Sequence, residues 1–227
     1  MQNIEKNLNK VRNNIAHLAR RYRRDPKDIS LLAVSKKKSA QEIRTAYSAL
    51  QINFGENYLQ EARQKMLELS DLEITWHFIG AIQSNKTRII AEHFDWAHCI
   101  DRLKIAQRLN EQRPDSMAPI NVCIQVNIDL ETSKSGVGLE QVASLAEQIN
   151  NLPRVRLRGL MAIPAPHEEL ESQRKPFARL RHELTLLNQN GLDCNTLSIG
   201  MSHDMEAAIA EGSTLVRIGT AIFGERL

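Results

Sequence analysis

Eight short apolar runs alternate with helical patterns along most of this chain, and that alternation limits its fold more than any other feature. The runs cover residues 29–34, 52–55, 75–79, 95–100, 120–127, 156–161, 196–199 and 215–218. Each is bounded by polar or turn residues, which reads as a buried strand. Between them, at about 40–50, 58–69, 84–93, 101–113, 138–151, 168–190 and 204–211, apolar residues recur at helical spacing. Ser39 with Glu42 matches a capping box at the first of these helices. Gly191 and Gly212 stand where helix C-caps belong, and Pro176 is expected to break or kink its helix. Such alternation argues for an α/β fold, a (β/α)₈ TIM barrel. The runner-up, an open doubly wound sheet, would favour a G-x-G-x-x-G fingerprint after the first strand, and none is present. An extra N-terminal helix spans residue 2 to about 24, with Ile4, Leu8, Val11, Ile15 and Leu18 on one stripe and Asp25-Pro26 ending it. The 227 residues are read as a single domain, residues 1–28 packing on the barrel.

Composition narrows the function classes. Hydrophobic residues make up 42% and charged residues 25%, a globular profile. A net charge of +3 does not call for nucleic acid. The basic cluster of Arg20, Arg21, Arg23 and Arg24 reads as a solvated face that suits the negative end of its helix. Three widely spaced cysteines, with no C-x-x-C pair, indicate neither a disulfide framework nor a zinc site, which fits a reducing, cytoplasmic setting. The N-terminus shows no secretory h-region, and no apolar stretch approaches the ~20 residues of a membrane span.

In a barrel the C-terminal strand ends share one face, where sites form. The first strand ends at Lys36, in the run Leu31-Leu32-Ala33-Val34-Ser35-Lys36. A lysine beside an apolar core loses its proton more easily and suits Schiff-base chemistry; by itself, a member of the run Lys36-Lys37-Lys38 is more simply a surface lysine. Asn57 follows strand two, and strand three carries His77. After strand seven, Gly200 lets the backbone approach a ligand and Ser202 is expected to be the N-cap of the next helix. After strand eight, Gly219 and Thr220 add N–H groups and a hydroxyl. Barrels often bind phosphate at these two loops. Arg217 interrupts an otherwise apolar strand, either as an ion pair at the barrel end or as a donor to a ligand acceptor. A reactive lysine, a phosphate cradle and a buried arginine together suggest pyridoxal 5'-phosphate. An arginine at the pyridine nitrogen would leave that nitrogen unprotonated, a weak electron sink.

The sequence resembles the pyridoxal phosphate homeostasis family, the YggS/PROSC proteins. The matching stretches are LLAVSK at 31–36, FGENYLQEA at 54–62, WHFIGAIQSNK at 76–86, VNIDLETSKSG at 126–136, GLMAIPAP at 159–166 and LSIGMSHDMEAAIAEGSTLVRIGTAIFG at 197–224. The resemblance implies a barrel of the alanine-racemase type and a Schiff base at Lys36. It also implies phosphate contacts at Ser202, Gly219 and Thr220, and Arg217 at the pyridine nitrogen. Asn57 and His77 complete the expected cofactor-binding set. The implied role is to hold the cofactor and maintain its supply, buffering it or passing it to apo-enzymes, without catalytic turnover. Related racemases carry a further β-domain, whereas this sequence reaches Leu227 directly after the eighth-strand motif. A monomer with no nucleic-acid or membrane partner is expected. The alternative is a small racemase-like enzyme using His77 or Lys134 as acid/base groups.

Overall fold

In a computed structural model, eight parallel strands close into one barrel in chain order. The structure describes residues 3–131 and 134–224. Residue 2, where the first helix is predicted to begin, and Thr132 and Ser133 of the VNIDLETSKSG stretch lie outside the described residues.

The strands are β1 (Ser30–Val34), β2 (Asn53–Glu56), β3 (Thr75–Phe78), β4 (Trp96–Ile100), β5 (Ile120–Val126), β6 (Val155–Ala162), β7 (Thr196–Ser198) and β8 (Leu215–Ile218). All eight fall on the predicted runs, with ends shifted by a residue at most. β1 pairs with β8, Ser30 opposite Leu215 and Ala33 opposite Ile218, and this ladder closes the barrel. Helices α2 (Ala40–Ser48), α3 (Leu59–Glu68), α4 (Thr87–His93), α5 (Leu103–Gln112), α6 (Leu139–Asn150), α7 (Leu170–Gln189) and α8 (Met205–Ala210) form the outer layer. The Ser39 hydroxyl and the Glu42 carboxylate complete the capping box of α2. Gly191 and Gly212 both take positive φ after α7 and α8, as helix-ending glycines do.

Helix α1 (Ile4–Arg21) lays Ile4, Leu8, Val11, Ile15 and Leu18 against the barrel assembly. Each such burial contributes about 1.5–3 kcal/mol. Its partners are α2, α8 and the short helix α9 (Thr220–Phe223). The basic cluster is largely solvated, Arg20, Arg21 and Arg23 being exposed, while Arg21 also pairs with Glu206 at 3.0 Å and the half-buried Arg24 donates to the Ile209 carbonyl at 3.0 Å, near the C-terminal end of α8.

The predicted break at Pro176 does not occur, since α7 continues through it. One lost N–H bond is outweighed by the burial of Pro176 itself and of Phe177, Leu180 and Leu187, which anchor the helix after the proline in the core, with partly buried Leu170 packing before it. The predicted helix at 84–93 opens as a 3-10 turn, Ser84–Lys86, before α4.

Candidate functional site

The run of three lysines separates into three environments. Lys36 is half-buried and lines a cavity at the C-terminal mouth of the barrel. Lys37 is exposed, with φ 60°. Lys38 donates to the Phe223 carbonyl at 3.0 Å, at the end of α9.

A buried ionic cluster grips the loop that carries Lys36. The Lys65 ammonium donates to the Ser35 carbonyl at 2.7 Å and to Glu56 at 2.8 Å, and also pairs with Glu61. The Ser35 hydroxyl donates to Glu56 at 2.6 Å, and Glu61 accepts the Lys37 N–H at 2.5 Å. Burial raises the Glu56 carboxyl above its ordinary range, with Lys65 pulling the other way. The loop is thus held from below by β2 and α3.

The mouth cavity measures about 320 Å³, within the usual range of roughly 300–1,000 Å³ for small-molecule sites. Lys36, Asn57, Ser202, Arg217, Gly219 and Thr220 all line it. Val34, Ile79 and Met161 supply apolar wall suited to a ring. Arg217 is buried, and burial lowers its pKa. Its Nη1 donates to the Ser198 carbonyl and, at 2.9 Å, to the Ser198 hydroxyl; Nη2 donates to the Ala162 carbonyl at 3.1 Å. Among the described residues no carboxylate is ion-paired with it, so the ion-pair reading of this arginine does not hold. The Asn57 Oδ1 is buried without a hydrogen-bond partner, which leaves an acceptor for an incoming donor.

The cradle after β7 and β8 differs in detail from expectation. Ser202 is not the N-cap of α8; Asp204 is. The Asp204 carboxylate accepts the Met201 N–H at 2.6 Å, which closes residues 201–204 as a turn and delays the helix to Met205. Ser202 is thereby left exposed on the cavity wall. Gly200 has φ +97°, and a Cβ there would lie 2.7 Å from the Ala208 Cβ. After β8, Gly219 is the N-cap of α9, a helix the sequence reading did not contain. The first N–H groups of a helix have no acceptor inside it, so Thr220 and Ala221 offer theirs outward. The pocket and this donor set fit a phosphorylated aromatic aldehyde: an amine at one side, donors at the phosphate end, apolar wall between.

His77 does not join this cavity. It lies in the barrel interior and lines a separate cavity toward the opposite mouth. Its Nδ1 sits 3.0 Å from His98 Nε2, its Nε2 sits 3.0 Å from Asn53 Oδ1, and its ring stacks on Trp96. His98, which the sequence reading missed, does line the site. Its signal was a histidine inside the apolar run Trp96-Ala97-His98-Cys99-Ile100. His98 Nδ1 lies 2.8 Å from the Ser198 hydroxyl. Arg217 can only donate, so the Ser198 oxygen accepts from it and passes its own proton to His98 Nδ1. His98 then donates through Nε2 to His77, and His77 through Nε2 to Asn53. One proton per link satisfies the chain, so both imidazoles are neutral. Burial holds both below the ordinary range, His77 down to about 3.

Comparison with known proteins follows the same lines. The alanine racemase N-terminal domain family matches residues 7–227. The pyridoxal phosphate homeostasis protein of Pseudomonas aeruginosa is 58% identical over 226 residues, covering 100% of this chain and 97% of that protein. This chain belongs to the pyridoxal phosphate homeostasis protein family. The Escherichia coli member is 53% identical, with 100% of this chain and 98% of that protein covered. Among solved structures of the family's fold, PipY of Synechococcus elongatus with PLP bound is 37% identical with a TM-score of 0.81, covering 92% of this chain and 100% of that one. Clostridium difficile alanine racemase, 17% identical with a TM-score of 0.75, shares the fold, and this chain covers 57% of it.

Proposed function

We propose that this chain binds pyridoxal 5'-phosphate at the C-terminal mouth and serves to hold and deliver it in the cytoplasm, as a monomer, to apo-enzymes that use it. The observation that carries this reading is the convergence in one cavity of Lys36 from β1 with Ser202, Arg217, Gly219 and Thr220 from β7 and β8. Lys36 is the residue that would hold the cofactor, its amine joining the aldehyde as a Schiff base. Ser202, Gly219 and Thr220 would hold the phosphate, and Arg217, anchored to two carbonyls, would be the donor toward the ring nitrogen. When bound, the cofactor supplies an electron sink, which an arginine at the ring nitrogen weakens. Further support comes from relatives named for pyridoxal phosphate homeostasis and a PipY structure with PLP bound.

A carrier without turnover is favoured by the pairing of the candidate acid/base groups. Both nitrogens of His98 and of His77 are engaged in the interior chain. Lys134 pairs with Glu131 at 2.5 Å and donates to the Ile163 carbonyl. Three buried free cysteines suit a reducing compartment.

The test is the absorbance spectrum of the purified chain with added pyridoxal phosphate, followed by borohydride reduction and peptide mapping. A band at the visible edge, with the reduced adduct on Lys36 and no band in Lys36→Ala, is expected. An adduct elsewhere overturns the assignment. D-amino acid released above background, and lost in Lys36→Ala, would overturn the carrier reading in favour of a racemase.

A further inference from the structure

The opposite, N-terminal mouth of the barrel holds a second cavity that the proposed function does not use. It measures about 510 Å³, larger than the first. N-terminal faces of such barrels ordinarily serve stability, which needs no cavity of this size. Its wall includes Arg24, Asp28, Asn53, Trp96, Arg158 and Asn195.

This wall is rich in free donors and poor in free acceptors. Asn53 Oδ1 is engaged with His77, and Asn195 Oδ1 accepts from Arg158 at 3.0 Å and from Thr196 at 3.1 Å. The Thr214 hydroxyl oxygen accepts the Leu197 N–H. Neither side-chain amide nitrogen, of Asn53 or of Asn195, donates to a described residue. Arg158 Nε is buried with no partner. Its guanidinium carbon lies 5.8 Å from the Trp96 ring centroid, and its Nη2 is tied to Asn195, so the Arg158 head group is fixed from two sides. Two guanidiniums, of Arg24 and Arg158, line the cavity against one carboxylate, Asp28, which interacts with Arg24. Arg158 Nη1 likewise donates to no described residue, and donors such as this one and the two amides are what a ligand oxygen in the cavity would meet.

We propose that this N-terminal cavity is a binding site for a small oxyanion-bearing molecule, a carboxylate or a phosphate, with Arg158 as its forked donor and the amides of Asn53 and Asn195 beside it. An arginine edge matches the spacing of two oxygens on such a group. Trp96 lies against the same arginine and reports occupancy.

The experiment is tryptophan fluorescence of the full chain, titrated at fixed ionic strength with sodium phosphate and, separately, sodium succinate. The wild type is expected to respond saturably to at least one. Arg158→Gln should weaken that response by about tenfold or more, the size expected for losing a charged hydrogen-bonding partner. Asn195→Ala, at an exposed position where the fold is expected to hold, should weaken it several-fold and decides the matter if Arg158→Gln fails to fold. Phosphate held at the C-terminal mouth would survive both substitutions unchanged, and that result overturns the proposal. So does a wild type that responds to neither anion. The anion that saturates identifies which oxyanion the site takes.

Discussion

The neutral His77–His98 pair makes this protein sensitive to mild acid, by an amount that follows from linkage. In the unfolded chain each imidazole takes a proton near 6.5; in the folded barrel burial holds His77 down to about 3 and His98 well below its ordinary value. A base whose pKa is depressed by folding contributes stability that is complete above the unfolded value and drains away as pH falls below it. One unit below 6.5, each histidine costs about 1.4 kcal/mol, so the pair costs about 3 kcal/mol. That is a large share of the roughly 5–15 kcal/mol typical of a domain. Glu56 and Asp95, raised by burial, act in the opposite sense, since the fold binds their protons more readily. Comparing wild type with His77→Gln cancels them. Urea unfolding at about pH 7.5 and about pH 5.5 should show the wild type losing about 1.4 kcal/mol more than the variant, the share of one histidine. An equal change in both proteins refutes the assignment of neutral buried imidazoles.

Three further outcomes are expected. Lys65→Met strips the ammonium from the fully buried Glu56 and should cost about 3 kcal/mol in urea unfolding. The cost should be greater at high pH, where Glu56 is ionised, than at low pH, where a proton relieves it; an unchanged midpoint would count against the clamp on the Lys36 loop. Gly200→Ala puts a Cβ 2.7 Å from that of Ala208 at φ +97°, so a loss of about 1–3 kcal/mol and weaker cofactor retention are expected from thermal melts and spectral titration. The thiols of Cys99, Cys123 and Cys194 are all buried and pushed up, Cys99 to about 12 and Cys194 to about 11. A thiol-specific reagent should therefore label none in the native protein and all three in denaturant.

The sequence carried the barrel because each strand is a short apolar run and each helix an apolar stripe, both local patterns. It carried Lys36, Ser202, Arg217, Gly219 and Thr220 because strand ends in a barrel face one way, so position along the chain nearly fixes position at the mouth. His77 was misplaced for the same local reason. Its residue lies on the right strand, but only the tilt and stagger of the closed sheet decide whether a given inward residue reaches the upper or the lower half of the interior. The N-cap at Ser202 failed because Asp204 bonds back to the Met201 N–H, a competition between two neighbouring capping residues that spacing does not settle.

By itself, then, the sequence determined the order and type of the elements, the α1 stripe that docks on the barrel, and the face that gathers Lys36 and Arg217. Tertiary structure alone decided the chain from Arg217 through Ser198, His98 and His77 to Asn53, and the cavity around Arg158. Those groups lie up to 164 residues apart, Asn53 to Arg217, and meet only when the β1–β8 ladder closes. Hydrogen bonds act over about 3 Å in space, and nothing in a local pattern encodes which distant polar atoms closure will bring within that reach.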